Sequence, residues 1–160
     1  MTKHTVIIGR SEHLDITGVA LAVPAKIDTG AFRSSIHAQN IKIKTRDGQK
    51  VLTYELFGHP CAPVPRPMET TEFKMVSVTN SFGHEETRYE VMLKVKLSTK
   101  IFTTSFTLAD RSNNLFPVLV GRKLLKNRFM VDVSRTSLNR IKLKKDFGVA
   151  APVDEEDLED

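Results

Sequence analysis

The chain has 160 residues, a length that fits one domain with a hydrophobic core of its own. Its composition is ordinary for a globular protein, and no apolar run approaches the length needed to cross a membrane. The single cysteine, Cys61, excludes an internal disulfide framework. The apolar stretch near the N-terminus is too short for a secretory signal. We therefore expect a cytoplasmic protein with no membrane association.

The charge of the chain is distributed unevenly. There are 24 basic and 19 acidic residues, but six of the acidic residues lie in positions 154–160, so the rest carries 24 basic against 13 acidic residues. Such a basic body predicts an anionic partner, either nucleic acid or an acidic polypeptide. The alternative is a solvated basic surface that the chain's own acidic end masks. We interpret residues 1–146 as the folded domain and residues 147–160 as a disordered acidic tail.

Strand signals dominate the chain from its start. β-branched and aromatic residues are concentrated in short segments that turn signals such as Asp47-Gly48 separate. Residues 91–97 alternate apolar with polar side chains, as a half-buried strand does. The predicted strands are 5–8, 21–27, 41–44, 51–56, 73–78, 90–97, 102–108 and 118–120.

Two segments depart from this strand pattern. Residues 59–71 contain four prolines and are predicted to form an extended surface loop, because proline cannot donate to a central strand ladder. Residues 121–129 form the one segment that is typical of a short helix, with Leu124 and Leu125 facing inward. Many short strands with one short helix predict a mainly β fold, a small closed β-barrel.

The first candidate for chemistry is a turn that follows the predicted strand 21–27. It consists of Asp28, Thr29, Gly30 and Ala31. Glycine permits a tight turn, and the threonine hydroxyl can stabilise it by hydrogen bonding. A carboxylate in this place is positioned by rigid neighbours, although the tripeptide alone is equally typical of an ordinary Asp-containing turn.

A second segment, roughly ninety residues later, gives this turn more weight. An apolar triplet formed by Val118, Leu119 and Val120 ends at Gly121, and the predicted helix follows. Between the two segments lies a candidate hairpin, 75–91, whose tip comprises Asn80, Ser81, Phe82, Gly83 and His84. An early Asp-Thr-Gly-Ala and a late apolar-apolar-Gly-Arg resemble the retropepsins.

Further motifs in the same order narrow this resemblance. They are Ile8-Gly9-Arg10, Ser34-Ser35-Ile36-His37-Ala38, Arg88, Leu108-Ala109-Asp110-Arg111 and Phe129-Met130-Val131-Asp132. Over about residues 5–135 the chain resembles a bacterial retropepsin-like family associated with ribosomal-protein glutamate ligases, often labelled putative ATP-dependent zinc protease. The sequence contains neither His-Glu-x-x-His nor a phosphate-binding Gly-x-x-x-x-Gly-Lys loop, so we expect no metal and no cofactor.

The resemblance implies a retropepsin-like acid-protease barrel with aspartic peptidase activity. Asp28 would be the catalytic residue, Thr29, Gly30 and Ala31 would support its loop, and residues 80–84 would form a flap. The segment 118–121 would be the core beside the site. Because the chain has a single Asp-Thr-Gly, the resemblance implies a homodimer in which two Asp28 carboxylates meet.

The association with glutamate ligases implies acidic or glutamate-extended protein substrates, with a ribosomal protein as one candidate. Arg33, Arg88 and Arg122 are the predicted contacts for substrate carboxylates. Many retroviral-type proteases have a second aspartate after Asp-Thr-Gly-Ala that pairs with the late arginine, but this chain has Phe32 there. Arg122 therefore needs another partner: Asp110, Asp132 or a substrate carboxylate. The acidic tail is a further candidate occupant of the cleft.

Two other functions remain as alternatives. One is a catalytically inactive peptide-binding module with the same barrel. The other is a basic nucleic-acid-binding barrel, for which the aromatic residues are few and are not interleaved with the basic ones. Direct nucleic-acid binding is therefore not expected.

Overall fold

The computed structural model describes residues 5–80 and 82–160. Strands dominate this part of the chain, and short helices occur only in its second half. The strands are β1 (Val6–Ile8), β2 (Ser11–Ile16), β3 (Ala20–Ile27), β4 (Ser35–Arg46), β5 (Gln49–Leu56), β6 (Arg66–Thr70), β7 (Phe73–Thr79), β8 (Glu85–Leu97), β9 (Lys100–Ala109), β10 (Val118–Val120) and β11 (Phe129–Val131). The helices are α1 (Arg122–Leu125), α2 (Arg140–Asp146) and a final 3₁₀ turn (Glu156–Glu159).

The strands close into a barrel through the short strand β10. The hydrogen-bonded order is β10-β3-β2-β8-β9-β4, and β10 also pairs with β4, so these strands form a ring. β10 runs parallel to β3 and antiparallel to β4. The predicted mainly β fold with a small closed retropepsin-like barrel is confirmed.

The core follows from the alternation of side chains along the strands. In β8, Val91, Leu93, Val95 and Leu97 are buried, and the residues between the last three are exposed. Successive side chains of a strand point to opposite faces, so the apolar side chains of β8 pack inside the barrel and its lysines face solvent. Burial of this apolar surface is the main stabilising term of the fold.

Some strands were not visible in the sequence. β2 has buried Leu14 and Ile16 among polar residues, which is too weak an apolar pattern to recognise. The expectation of a surface loop over 59–71 is wrong for residues 66–70, because β6 pairs antiparallel with β5. Pro67 fits there since β6 lies at the edge of the sheet, where a missing donor is tolerated.

The helical content exceeds the single short helix expected. α1 is shorter than the predicted 121–129, although Leu124 and Leu125 are buried as predicted. α2 was not predicted; it begins after Asn139, whose side chain accepts a hydrogen bond from the amide of Lys142, and it buries Leu143. Within the described part of the chain, no helix is long and apolar enough to cross a membrane.

The acidic C-terminal segment is placed against the barrel, which corrects the expectation of a disordered tail. Its last turn buries Asp157, and its carboxylates form ion pairs with Arg10, Arg140 and Lys144. Basic residues from distant parts of the chain thus compensate a charge density that would repel itself in isolation.

Candidate active site

Asp28 lies directly after β3, where the chain turns away from the barrel. Its amide donates a hydrogen bond of 2.8 Å to the carbonyl of Val120, which extends the parallel pairing of β3 and β10 by one residue. The amide of Ala31 donates to the carbonyl of Asp28 at 3.3 Å and closes the turn. β10 lies between β3 and β4. Residues 28–34, which we call the Asp28 loop, connect these two strands.

The carboxylate of Asp28 is held by its own loop. The amide of Gly30 donates to Oδ1 of Asp28 at 2.9 Å, and the side chain is only partly buried. A Cβ atom at Gly30 would lie 3.1 Å from the same oxygen. A glycine at this position lets the backbone approach the carboxylate closely.

Gly121 joins the late apolar segment to the Asp28 loop. Its amide donates to the hydroxyl of Ser34 at 3.0 Å. A Cβ atom there would lie 2.6 Å from the carbonyl oxygen of Arg33 and 2.8 Å from that of Phe32, so only glycine fits without a shift of the loop. The structure thus brings β10 and Gly121 beside the Asp28 loop, the arrangement that the resemblance to the retropepsins implies.

Arg122 does not line the cleft that contains Asp28. Its guanidinium donates to the carbonyl of Thr29 at 3.0 Å, and its amide donates to the carbonyl of Ala31 at 2.8 Å. Both expected protein partners are engaged elsewhere, because the carboxylates of Asp110 and Asp132 accept hydrogen bonds from Ser112 and Ser134. Arg122 thus stabilises the Asp28 loop through the backbone carbonyls of that loop, and neither Asp110 nor Asp132 is its partner.

A cleft of about 620 Å³ lies between the Asp28 loop and the hairpin of β7 and β8. The hairpin contributes residues 77–80 and Arg88 to its wall. At the tip, the side chain of Asn80 accepts hydrogen bonds from the amides of Phe82 and His84, and Gly83 takes a φ of +79°. The hairpin and its turn are as predicted, except that Ser81 lies outside the described residues.

Arg33 has a partner within the chain. Its guanidinium lies 2.5 Å from the carboxylate of Glu90, which is 4 % exposed. Lys74 and Lys123 also approach Glu90, at 3.4 and 3.7 Å. This ion pair joins the Asp28 loop to β8. Arg33 and Arg88 both line the cleft, with Arg88 beside Glu86 at 2.5 Å, and the role of each in substrate binding stays a prediction.

Arg111 lines the same cleft and was not among the predicted site residues. It is buried, and it donates to the carbonyl of Phe116 at 2.9 Å and to the hydroxyl of Ser35 at 3.3 Å. Burial lowers the pKa of Arg111 to about 10, the positive charge of Arg88 acts in the same direction, and the carboxylate of Asp28 opposes both. The motif Leu108-Ala109-Asp110-Arg111 could have drawn attention to Arg111. Nothing in that motif, however, indicates that the arginine side chain points into the cleft.

Two buried histidines position the segment that carries Arg111. Nδ1 of His37 accepts from the amide of Arg111 at 2.9 Å. Nδ1 of His59 accepts from the amide of Cys61 at 2.9 Å, and its Nε2 donates to the carbonyl of Arg111 at 2.9 Å. Burial lowers the pKa of both imidazoles. The described residues include no cluster of three or more His, Cys, Asp or Glu side chains that could hold a metal ion.

Comparison with known families decides the classification. Residues 7–142 match the family described as "RimB-like: Retropepsin-like aspartic endopeptidase RimB". The chain belongs to this family. The Asp28 loop, β10 and Gly121 all lie inside the matched region, so the retropepsin-like resemblance of the motifs is confirmed.

Curated relatives of this retropepsin-like chain carry a different name. A "Probable alpha-L-glutamate ligase" of Desulfotalea psychrophila is 30% identical over 153 residues, which are 88% of this chain and 32% of that protein. A protein of the same name from Shewanella pealeana is 30% identical over 85% of this chain and 30% of its own length. The chain thus spans about a third of the curated relatives it matches.

A solved structure shares the retropepsin-like fold. It is protein Lpg0085 of Legionella pneumophila, a protein of unknown function, with a TM-score of 0.67 and 28% sequence identity. The likeness covers 83% of this chain and 97% of that chain. Nearly all of that chain therefore has a counterpart in this structure.

Proposed function

We propose that the protein is an aspartic endopeptidase that acts as a homodimer on acidic or glutamate-extended proteins. The observation that carries this proposal is the position of Asp28. Its carboxylate is fixed by the amide of Gly30, and it lines a cleft that Arg88 and Arg111 also line. Membership in the retropepsin-like endopeptidase family supports the same reaction class.

The chemistry needs a second carboxylate. Two carboxyl groups at close range share one proton; one activates a water molecule as general base, and the other donates a hydrogen bond to the carbonyl of the scissile peptide. The sequence has one Asp-Thr-Gly, so a two-fold axis beside Asp28 would supply the partner group. The hairpin would close over the bound substrate and exclude water.

The surface beside the Asp28 loop supports a second copy as the partner. A largely apolar groove of about 750 Å³ runs between Thr29, Phe32, Leu125 and Phe129. Phe32 is 53% exposed although it is large and apolar. Association of two copies would cover this surface at the place where the second Asp28 is needed.

The substrate class follows from the charge of the cleft. Arg88 and Arg111 provide guanidinium groups, which suit two-pronged contacts with carboxylates. Relatives named as probable glutamate ligases contain a region similar to this chain, which supports a substrate that carries added glutamates. A ribosomal protein remains one candidate, and a cytoplasmic location stays a prediction.

The decisive experiment compares Asp28→Asn with Asp110→Asn. Both carboxylates line the cleft, but only Asp28 belongs to the retropepsin-like loop. A peptide that ends in six glutamates is incubated with each variant, and its fragments are identified by mass spectrometry. We expect Asp28→Asn to abolish cleavage and Asp110→Asn to retain it; cleavage by Asp28→Asn would exclude an aspartic mechanism at this site.

Mixing wild-type and Asp28→Asn protein tests the homodimer. If each active site needs two Asp28 residues, an equal amount of variant reduces the activity of a fixed amount of wild type to about half, because mixed dimers are inactive. Unchanged activity after exchange would mean that one chain is sufficient. A protein that binds glutamate-rich peptides without cleaving them would instead be the inactive peptide-binding module.

A further inference from the structure

The acidic C-terminal segment, residues 154–160, forms part of the wall of a groove separate from the cleft of Asp28. This groove of about 530 Å³ is lined by Arg10, Lys26, Thr29 and Arg140 together with acidic residues of the segment itself. Thr29 belongs to the Asp28 loop, so the groove adjoins the candidate active site. The expectation that the acidic tail occupies the cleft is thus wrong, because the cations that bind it lie in this neighbouring groove.

The segment has one firmly held residue. Asp157 is 2 % exposed, and its carboxylate lies 2.6 Å from Nζ of Lys144 and 3.0 Å from Nε of Arg140. The amide of Asp154 also donates to it, at 2.9 Å. The hydrogen bond from Lys144 is the largest of several causes that lower the pKa of Asp157 to about 2. Asp157 anchors the segment to α2.

The carboxylates beyond this anchor reach the groove cations. Glu156 lies 3.3 Å from Nζ of Lys26, and Glu159 lies 3.4 Å from Nε of Arg10. The side chains of these two glutamates are 54% and 59% exposed. Asp160 approaches Arg10 at 2.5 Å and accepts from the amide of Arg140. Exposed ion pairs of the glutamate type contribute little to stability and are screened by salt, so another polyanion can replace them.

We propose that Arg10, Lys26 and Arg140 form a binding site for glutamate-rich peptides, which the chain's own C-terminal segment occupies in cis. This inference rests on the substrate class proposed above but not on hydrolysis. A glutamate chain offers the same carboxylates as Glu156 and Glu159. It would bind beside the Asp28 loop and hold an extended substrate near the cleft.

The covalent connection of the segment gives it an advantage over a free ligand. A tethered competitor acts at a high effective concentration, so it lowers the apparent affinity for a peptide added in solution. Removing the charges of Glu156, Glu159 and Asp160 while keeping Asp157 should therefore free Arg10 and Lys26 for an added peptide and leave the segment anchored.

The test uses the 160-residue chain with Asp28→Asn, so that no hydrolysis interferes. In this background, Glu156→Gln, Glu159→Gln and Asp160→Asn are combined, and binding of fluorescent hexaglutamate is measured by anisotropy. We expect the Kd to fall about tenfold relative to Asp28→Asn alone. An unchanged Kd overturns the proposal.

Lys26→Gln identifies the site of this binding. Lys26 is partly exposed and pairs with Glu156, so its substitution removes a groove charge with little effect on packing. Added to the combined variant, it should reverse most of the gain. Lys142→Gln is the matched control, because Lys142 is an exposed lysine of α2 that pairs with Asp146. If both lysine substitutions have equal effects, binding depends only on net charge, and the proposed site is wrong.

Hydrogen exchange of the wild-type protein gives an independent readout that needs no variant. Saturating hexaglutamate should accelerate exchange of the amide of Leu158, whose hydrogen bond to the carbonyl of Glu155 closes the turn that carries Glu156, whereas the amide of the anchor Asp157 should stay protected. Unaltered exchange at saturation overturns the proposal.

Tighter binding of a single-stranded RNA than of hexaglutamate would assign the groove to nucleic acid and also overturn it. If the combined variant binds hexaglutamate more tightly but the protein that retains Asp28 cleaves no glutamate-rich peptide, only the proposed function is contradicted. If that protein cleaves the peptide but the combined variant shows no tighter binding, only this inference is contradicted.

Discussion

Arg33 and Glu90 form an ion pair of 2.5 Å that connects the Asp28 loop to β8, the second strand of the hairpin. Glu90 is almost fully buried, and the exposed lysines Lys74 and Lys123 complete the neutralisation of its charge. The loop and the hairpin form opposite walls of the cleft, so this pair helps to determine their separation.

Glu90→Gln should destabilise the protein by about 2–4 kcal/mol, because it leaves Arg33 without its charged partner in a partly buried place. The free energy of unfolding is measured by urea denaturation. Glu69→Gln is the control, since Glu69 pairs with Arg46 on the open surface, and it should leave the urea midpoint unchanged. Equal effects of the two substitutions would show that burial of Glu90 is unimportant.

Gly121→Ala should reduce peptidase activity more than it reduces stability. The backbone at Gly121 has a φ of −96°, which alanine adopts easily, so the obstacle is the contact of the new Cβ with the carbonyls of Arg33 and Phe32. The Asp28 loop must move to relieve it, and small misplacements of a catalytic group cost about 100-fold in rate.

Gly18→Ala is the comparison for that substitution. Gly18 has a φ of +75° and open space around it, so alanine there strains the backbone without touching the site. It should cost about 1 kcal/mol of stability with normal kcat. Normal kcat in Gly121→Ala would mean that the loop tolerates the shift.

The stability of the protein should decrease as the pH falls below about 6.5, the ordinary pKa of histidine. Burial lowers the pKa of His37 and of His59, and each Nδ1 accepts a backbone amide, which a protonated ring cannot do. The unfolded chain therefore binds more protons than the folded one as the pH drops through this range, and the free energy of unfolding falls with it.

Urea denaturation at pH 7 and pH 5 measures this dependence. His37→Gln keeps an acceptor for the amide of Arg111 but cannot titrate, so the difference between the two pH values should shrink. His84→Gln, at the exposed hairpin tip, should leave the difference as in the wild type. A flat pH profile in the wild type would contradict the assigned roles of His37 and His59.

Arg88→Gln should lower kcat/KM for glutamate-rich peptides by about 10–100-fold, since a charge-assisted hydrogen bond is lost. Cleavage of an uncharged peptide should change much less. Arg46→Gln removes a surface arginine far from the cleft wall and should affect neither substrate. A uniform loss on both substrates in Arg88→Gln would indicate a structural role in place of carboxylate recognition.

Local sequence patterns predicted the frame of the site well. The apolar strand before Asp28 and the triplet before Gly121 each show their character over a few residues, and the retropepsin-like resemblance relates the two. β2 and β6 were missed because their apolar patterns are weak or contain proline. α2 was missed because a short helix with one strongly buried leucine, Leu143, resembles a charged loop.

The sequence by itself determined a mainly β barrel and the turn that holds Asp28, since these depend on residue types at short range. Tertiary structure alone decided which cations face the cleft. Arg33, Arg88 and Arg111 line it, with Arg33 paired to Glu90, whereas Arg122 lies outside it and donates to the carbonyl of Thr29. It also directed the acidic segment to Arg10 and Lys26. Such partners lie far apart along the chain, so their pairing depends on how the closed barrel brings distant strands together.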